Sequence, residues 1–193
     1  IGVALAACDH EVGLSAAEYF STRDLHFAPH DWFLLDRPRE ILLRHFLGNQ
    51  STTTARKDVL ITAGLYNPHF SVLEDWEFML RLATTTNIAC YNGSLAWIRV
   101  THHNRDLHSL VHGAALGVSV VDYVCNTLTP KTYIESDLLL KRRQKAISHH
   151  LSTTYFAEGG IGLRALLKLY NHRIDNLVMW KWLAISFIPI SIT

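Results

Sequence analysis

Two adjacent carboxylates, Glu74 and Asp75, stand where side chains could do chemistry. They lie in the stretch Ser71-Val72-Leu73-Glu74-Asp75-Trp76-Glu77-Phe78-Met79-Leu80-Arg81-Leu82-Ala83. A carboxylate held ionised at a helix start can take the proton from a hydroxyl as that hydroxyl attacks an electrophile. The same pair has a plainer use. Acidic residues in a first helical turn complement the positive end of the macrodipole. Ser71, with Glu74 three residues on, also has capping-box spacing. Both uses stay open at this level. Arg81 is expected to pair with Glu77 at i, i+4. His149 and His150 are adjacent on an expected helix and so face different directions. Metalloprotease, nucleophile-elbow and P-loop patterns are absent from the sequence.

The elements that must hold these groups follow from periodicity. Trp76, Met79, Leu80 and Ala83 fall at i, i+3, i+4, i+7, with Leu73 extending the stripe, which predicts an amphipathic helix. Upstream, residues 1 to 8 read as a buried strand and Asp9-His10-Glu11 as a turn. Residues 11 to 40 read as irregular, with turns at Ala28-Pro29-His30-Asp31 and Asp36-Arg37-Pro38 around the aromatic pair Trp32-Phe33. Arg39 to Phe46 reads as a helix with Ile41, Leu42, His45 and Phe46 on one side, stopped by Gly48-Asn49. Thr52 to Ala55 is strand-like, and a helix from Arg56 closes at Gly64. Downstream, Ile88 to Tyr91 and Leu95 to Val100 read as strands joined by a tight Asn92-Gly93 turn. From Ser109 the texture is helical, with breaks at Pro130 and at Gly159-Gly160. A second helix is expected over about Glu135 to Tyr155 and a third over Ile161 to Tyr170.

Composition narrows the classes. The 193 residues are 49% hydrophobic and 18% charged, as in a globular protein, and a net charge of +1 gives no electrostatic case for nucleic acid. Lys141-Arg142-Arg143 with Lys145 reads as a solvated helix face. Cys8, Cys90 and Cys125 are scattered, which fits neither a disulfide framework nor a zinc knuckle and suits a reducing compartment. The sequence opens on Ile1 within an apolar run and is read as a truncated chain. Residues 177–193 are strongly apolar but interrupted by Lys181 and Pro189, short of the roughly 20 apolar residues of a spanning helix. Trp180, Lys181 and Trp182 suit a membrane interface. A helix docked on the protein, or a longer span cut short, are the other expectations for this segment.

The run Thr52-Thr53-Thr54-Ala55-Arg56-Lys57, then Ala63-Gly64-Leu65-Tyr66-Asn67, then Glu74-Asp75-Trp76 with Arg81-Leu82, resembles the family 2 glycosyltransferases. Ile98-Arg99-Val100-Thr101-His102-His103-Asn104 resembles a later stretch of the same family. The likeness covers about residues 40 to 110 and, more loosely, 1 to 40. It implies an α/β fold, a partial GT-A (Rossmann-like) sheet with a C-terminal α-helical region. Residues 1–108 would be the acceptor half and 109–193 a helical extension. It implies an inverting hexosyltransferase that moves a sugar from a nucleotide-sugar to a glycan or lipid-linked acceptor. In that comparison Asp75 is the general base, supported by Glu74. Trp76, Arg99 and Gly64 fall at substrate-binding positions, and His102 lies where some members supply a metal ligand. The family's Asp-x-Asp motif is absent, so a divalent metal (Mn or Mg) would be held mainly by a segment upstream of Ile1, and the chain alone is expected to be inactive. The expected location is cytoplasmic, with contact at the inner face of the membrane through 177–193. The rival from another class is a non-catalytic helical interaction or membrane-peripheral module that binds through residues 135–193.

Overall fold

The computed structural model describes residues 3–9, 16–26, 28, 31–47, 52–97 and 107–158. By internal contacts the chain divides into two units, Ile1–His103 and Asn104–Thr193. The described residues form a mixed α/β structure: one four-stranded sheet and six helices.

In the first unit, β1 (Val3–Asp9) runs parallel to β4 (Ile88–Trp97) and antiparallel to β3 (Thr53–Ala55). The second edge is β2 (Trp32–Leu34), antiparallel to β4, so the order is β2-β4-β1-β3. β4 corrects an expectation. Asn92-Gly93 is not a hairpin turn; the strand runs straight through it. The register steps from Ala6↔Tyr91 to Ala7↔Ser94, leaving Asn92 and Gly93 as a bulge. Non-local contacts hold the bulge. The Asn92 backbone N–H donates to the Asp31 carbonyl at 3.0 Å, and its Nδ2 donates to the Ala28 carbonyl at 3.1 Å. A Cβ on Gly93 would collide with the edge of the Tyr91 ring, so any other residue here would have to push that ring aside.

The stretch read as irregular contains α1 (Ala16–Ser21) as well as β2. Strand alternation separates its aromatics. Phe33 packs edge-on against buried Phe20 at 5.5 Å, whereas Trp32 is 54% exposed and leans on Tyr91 at 5.1 Å. α2 (Pro38–Arg44) starts with proline in the first turn, where its missing N–H costs nothing. It ends at His45 in extended conformation, so His45 and Phe46 are not on its apolar side as expected; buried Leu42 and Leu43 are. α3 (Lys57–Thr62) is followed by α4 (Glu74–Thr85), whose buried stripe is wider than the periodicity suggested and includes Phe78 and Leu82.

The second unit is a helical pair, α5 (Leu107–Thr127) and α6 (Tyr133–Glu158). Ala114, Val118, Val121 and Val124 from α5 and Leu138, Leu139, Ile147 and Leu151 from α6 are buried. Thr132 accepts the Glu135 N–H at 3.1 Å, and Glu135 accepts the Lys131 N–H at 2.6 Å, which closes the start of α6. The basic cluster is not one solvated face. Arg143 reaches Asp122 on α5 at 2.6 Å in a largely buried ion pair, while Lys141 pairs with Asp137 along α6. Among the described residues no helix is long and apolar enough to cross a membrane. The expected third helix (161–170) and the apolar stretch 177–193 lie outside the described residues.

Candidate active site

Helix α4 carries both candidate carboxylates, and its entry is unlike the one its sequence suggests. The residue preceding the helix is Leu73, in the left-handed region at φ 55°, with no side-chain cap. Ser71 therefore does not cap, and Glu74 is the first helical residue rather than the third of a capping box. One orphan donor of the first turn is served from within. The Asp75 carboxylate accepts the Trp76 backbone N–H at 2.8 Å.

Two anchors fix this helix. One is Trp76, which is 1% exposed and donates its indole N–H to the Leu42 carbonyl at 2.8 Å. Expected at a substrate-binding position, Trp76 instead ties α4 to α2 inside the core. The second anchor is Arg81. Its guanidinium takes both oxygens of the Glu77 carboxylate, at 2.6 and 2.9 Å, as the i, i+4 spacing predicted. It also donates to the carbonyls of Ala63 and Leu65, and lies 5.0 Å from the centre of the Phe78 ring.

Those two carbonyls belong to the turn that ends α3. Gly64 at φ 84° is the left-handed residue of a Schellman arrangement. Its N–H bonds the Ile61 carbonyl at 3.1 Å, and the Leu65 N–H bonds the Leu60 carbonyl at 3.2 Å. A Cβ at Gly64 would sit 3.5 Å from the Arg81 guanidinium. Leu65 is left-handed too, at φ 58°, so the loop leading to α4 has a strained leucine at each end. Arg81 holds the first of these in place. The next residue, Tyr66, stacks on Phe78 with ring centres 4.6 Å apart.

The electrostatics follow from this packing. Burial raises the proton affinity of Asp75 above the ordinary aspartate range. The Glu74 charge adds to the rise, and the bond from the Trp76 N–H works against it. Burial also raises the Tyr66 phenol, and the charges of Asp75 and then Glu74 raise it further, which puts Tyr66 within the field of both carboxylates. Such an aspartate is a better proton acceptor than an exposed one. Its helix-start role and a base role coexist, because one oxygen serves the Trp76 N–H and the other is not committed to it.

Of the residues singled out from sequence, Glu74, Asp75 and Trp76 form the first turn of α4, whereas Gly64 sits beside Arg81, two turns further along. Arg99 and His102 lie outside the described residues. Among the described residues no group of three or more His, Cys, Asp or Glu side chains could hold a metal ion. Glu74 and Asp75 supply carboxylate oxygens but no third ligand, so the implied divalent ion has no ligand set in the described part. Two contributors were missed: Tyr66, which its sequence marks only as part of a turn, and the grip of Arg81 on the loop carbonyls. The Glu77–Arg81 spacing pointed to Arg81 but not to its reach across to α3. Comparison with family models, with curated proteins and with solved structures gives no match to this chain.

Proposed function

We propose that this chain is the acceptor half of an inverting, nucleotide-sugar-dependent glycosyltransferase of the GT-A type, with Asp75 as general base. The observation that carries the proposal is Asp75 itself: a carboxylate of raised proton affinity, beside Glu74, at the start of a helix that Trp76 ties to α2 and Arg81 ties to the preceding loop. In the reaction, an acceptor hydroxyl oxygen attacks the anomeric carbon as the bond to the nucleoside diphosphate breaks from the opposite face. The hydroxyl proton passes to Asp75. Burial keeps that proton affinity high, the Glu74 charge adds to it, and Tyr66 lies within the field of both carboxylates. A divalent ion, when bound, would offset the charge of the departing diphosphate. Its ligands would come from outside the described residues, His102 among them, while Arg99 would contact the diphosphate. Residues 177–193 would hold the protein at the inner membrane surface, beside a lipid-linked or glycan acceptor.

The test is transfer and donor hydrolysis with Mn²⁺ or Mg²⁺, using the longest reading frame that contains this chain. Wild type is compared with Asp75→Asn and Glu74→Gln. Loss of about 10²-fold or more in turnover on Asp75→Asn, with donor binding kept, is expected for a general base. Unchanged turnover would return Asp75 to a purely helix-start role. One observation favours a second reading as a helical docking module: Tyr133 is 87% exposed at the start of α6, with Ile134 and Leu140 also exposed. That reading predicts no donor binding at all.

A further inference from the structure

Away from Asp75, the turn after α1, the chain leaving β2 and one face of α2 line an open cleft of about 290 Å³. That is near the lower end of small-molecule sites. Its walls are charged in an unusual way. Arg23, Arg37 and Arg44 are matched by Asp24, Asp36 and Glu40, so the lining is formally neutral apart from His45. A balanced lining does not suit a polyanion such as a nucleoside diphosphate, which needs a net positive site.

The pairing inside this set is incomplete. The Glu40 side chain is only 7% exposed, and among the described residues its polar partner is Arg37 alone, at 3.4 Å, with Arg37 itself 64% exposed. A carboxylate so far removed from water ordinarily takes several short, charge-assisted bonds. Arg44 lies one turn further along α2 on the same side, where an i, i+4 ion pair with Glu40 would be expected. No such pair forms, and the Arg44 guanidinium has no protein partner among the described residues. This anion and this cation both line the cleft, with Leu25, Leu34, Leu35 and Ile41 as its apolar lining. Two of its boundary residues, Asp24 at φ 56° and Arg37 at φ 51°, hold left-handed backbone that is uncommon outside glycine. Strain of this kind gathers at ligand clamps.

We infer that the cleft binds a small zwitterion with an apolar body, of the α-amino-acid class, its ammonium on Glu40 and its carboxylate on Arg44. The apolar side chain lies against the leucines and Ile41. Arg37, already shared between Asp36 and Glu40, closes the anionic end. This site is separate from the proposed transfer reaction and does not depend on it.

Calorimetric titration with free L-phenylalanine and L-leucine tests it. The controls are N-acetyl-L-phenylalanine, which lacks the ammonium, L-phenylalaninamide, which lacks the carboxylate, and glucose 6-phosphate. The free amino acids are expected to bind, and each blocked analogue to lose about tenfold or more in affinity. Glu40→Gln is expected to abolish the preference for a free ammonium. Arg44→Gln, at an exposed side chain that the fold does not need, is expected to abolish the preference for a free carboxylate. The inference is overturned if the free amino acids give no heat at millimolar concentration, if blocked analogues bind equally well, if the sugar phosphate binds in their place, or if Arg44→Gln binds as wild type does.

Discussion

Replacing Arg81 with methionine keeps the aliphatic stem and removes the guanidinium. Three losses follow. The Glu77 carboxylate, 3% exposed, loses both of its short bonds and is left as a buried charge without its partner. The Ala63 and Leu65 carbonyls lose their donor. The Phe78 ring loses its cation. Breaking one side of a fully buried ion pair costs about 3–5 kcal/mol. Arg81 is 30% exposed, so solvent partly screens the pair, and about 2–4 kcal/mol is expected here. If that cost is mainly the stranded carboxylate, then removing the carboxylate as well should recover much of it. Urea unfolding of Arg81→Met, Glu77→Leu and the double variant gives the coupling directly. A double variant more stable than the sum of the singles by about 1.5 kcal/mol or more is expected. Additivity within about 0.5 kcal/mol would mean that the guanidinium acts on the loop carbonyls alone and that Glu77 is not charged against it.

Asp75 gives a pH signature. Its folded proton affinity lies above that of the unfolded chain, so the folded state binds the proton more readily. Stability therefore falls as pH rises from the ordinary aspartate value of 3.8 through the higher folded value. Asp75→Asn removes that slope, so its stability relative to wild type should increase from pH 4 to pH 7 by urea titration. A difference that is flat with pH, or of opposite sign, would refute it. Gly93→Ala should destabilise by about 1–3 kcal/mol, because the Tyr91 ring blocks the added methyl; thermal melting measures it, and a neutral effect would deny the close approach. The Cys90 thiol, fully buried and pushed up to about 12, should react with a thiol reagent only after global unfolding. Fast labelling under native conditions would contradict its placement in β4.

What was legible in the sequence was what is decided locally. The α4 stripe, the Glu77–Arg81 pair and the Gly64 turn each depend on residues within one or two helical turns of one another. The break after α5 was marked by Pro130 for the same reason. Misreadings came where distant chain decides. Asn92-Gly93 carries the strongest short-range hairpin signal, yet β1 pairs along the whole of β4 and turns the signal into a bulge. Ser71 and Glu74 had the spacing of a cap, but the strained loop held by Arg81 delivers the chain to α4 two residues later. Arg143 looked like surface charge until Asp122 on the neighbouring helix met it. At the candidate site, the two carboxylates could be picked out by type. Tyr66 could not, because its place depends on a stack with Phe78 and on the path of the loop.

The pairing of β1 with β4 also sets a timetable for synthesis. Val3 pairs with Ile88, 85 residues further along (88 − 3 = 85). At about 5–20 residues per second on the ribosome, β1 waits roughly 4–17 s for its parallel neighbour. Among the described residues its other sheet partner is the three-residue β3, which is itself made only midway through that interval. A short antiparallel ladder on one edge is marginal by itself. The helical pair, by contrast, closes between sequence neighbours as soon as both helices have emerged. The nascent chain therefore exposes an apolar strand with one bare edge until residues 88–97 are made, and a chaperone that shields extended apolar segments would act during that interval.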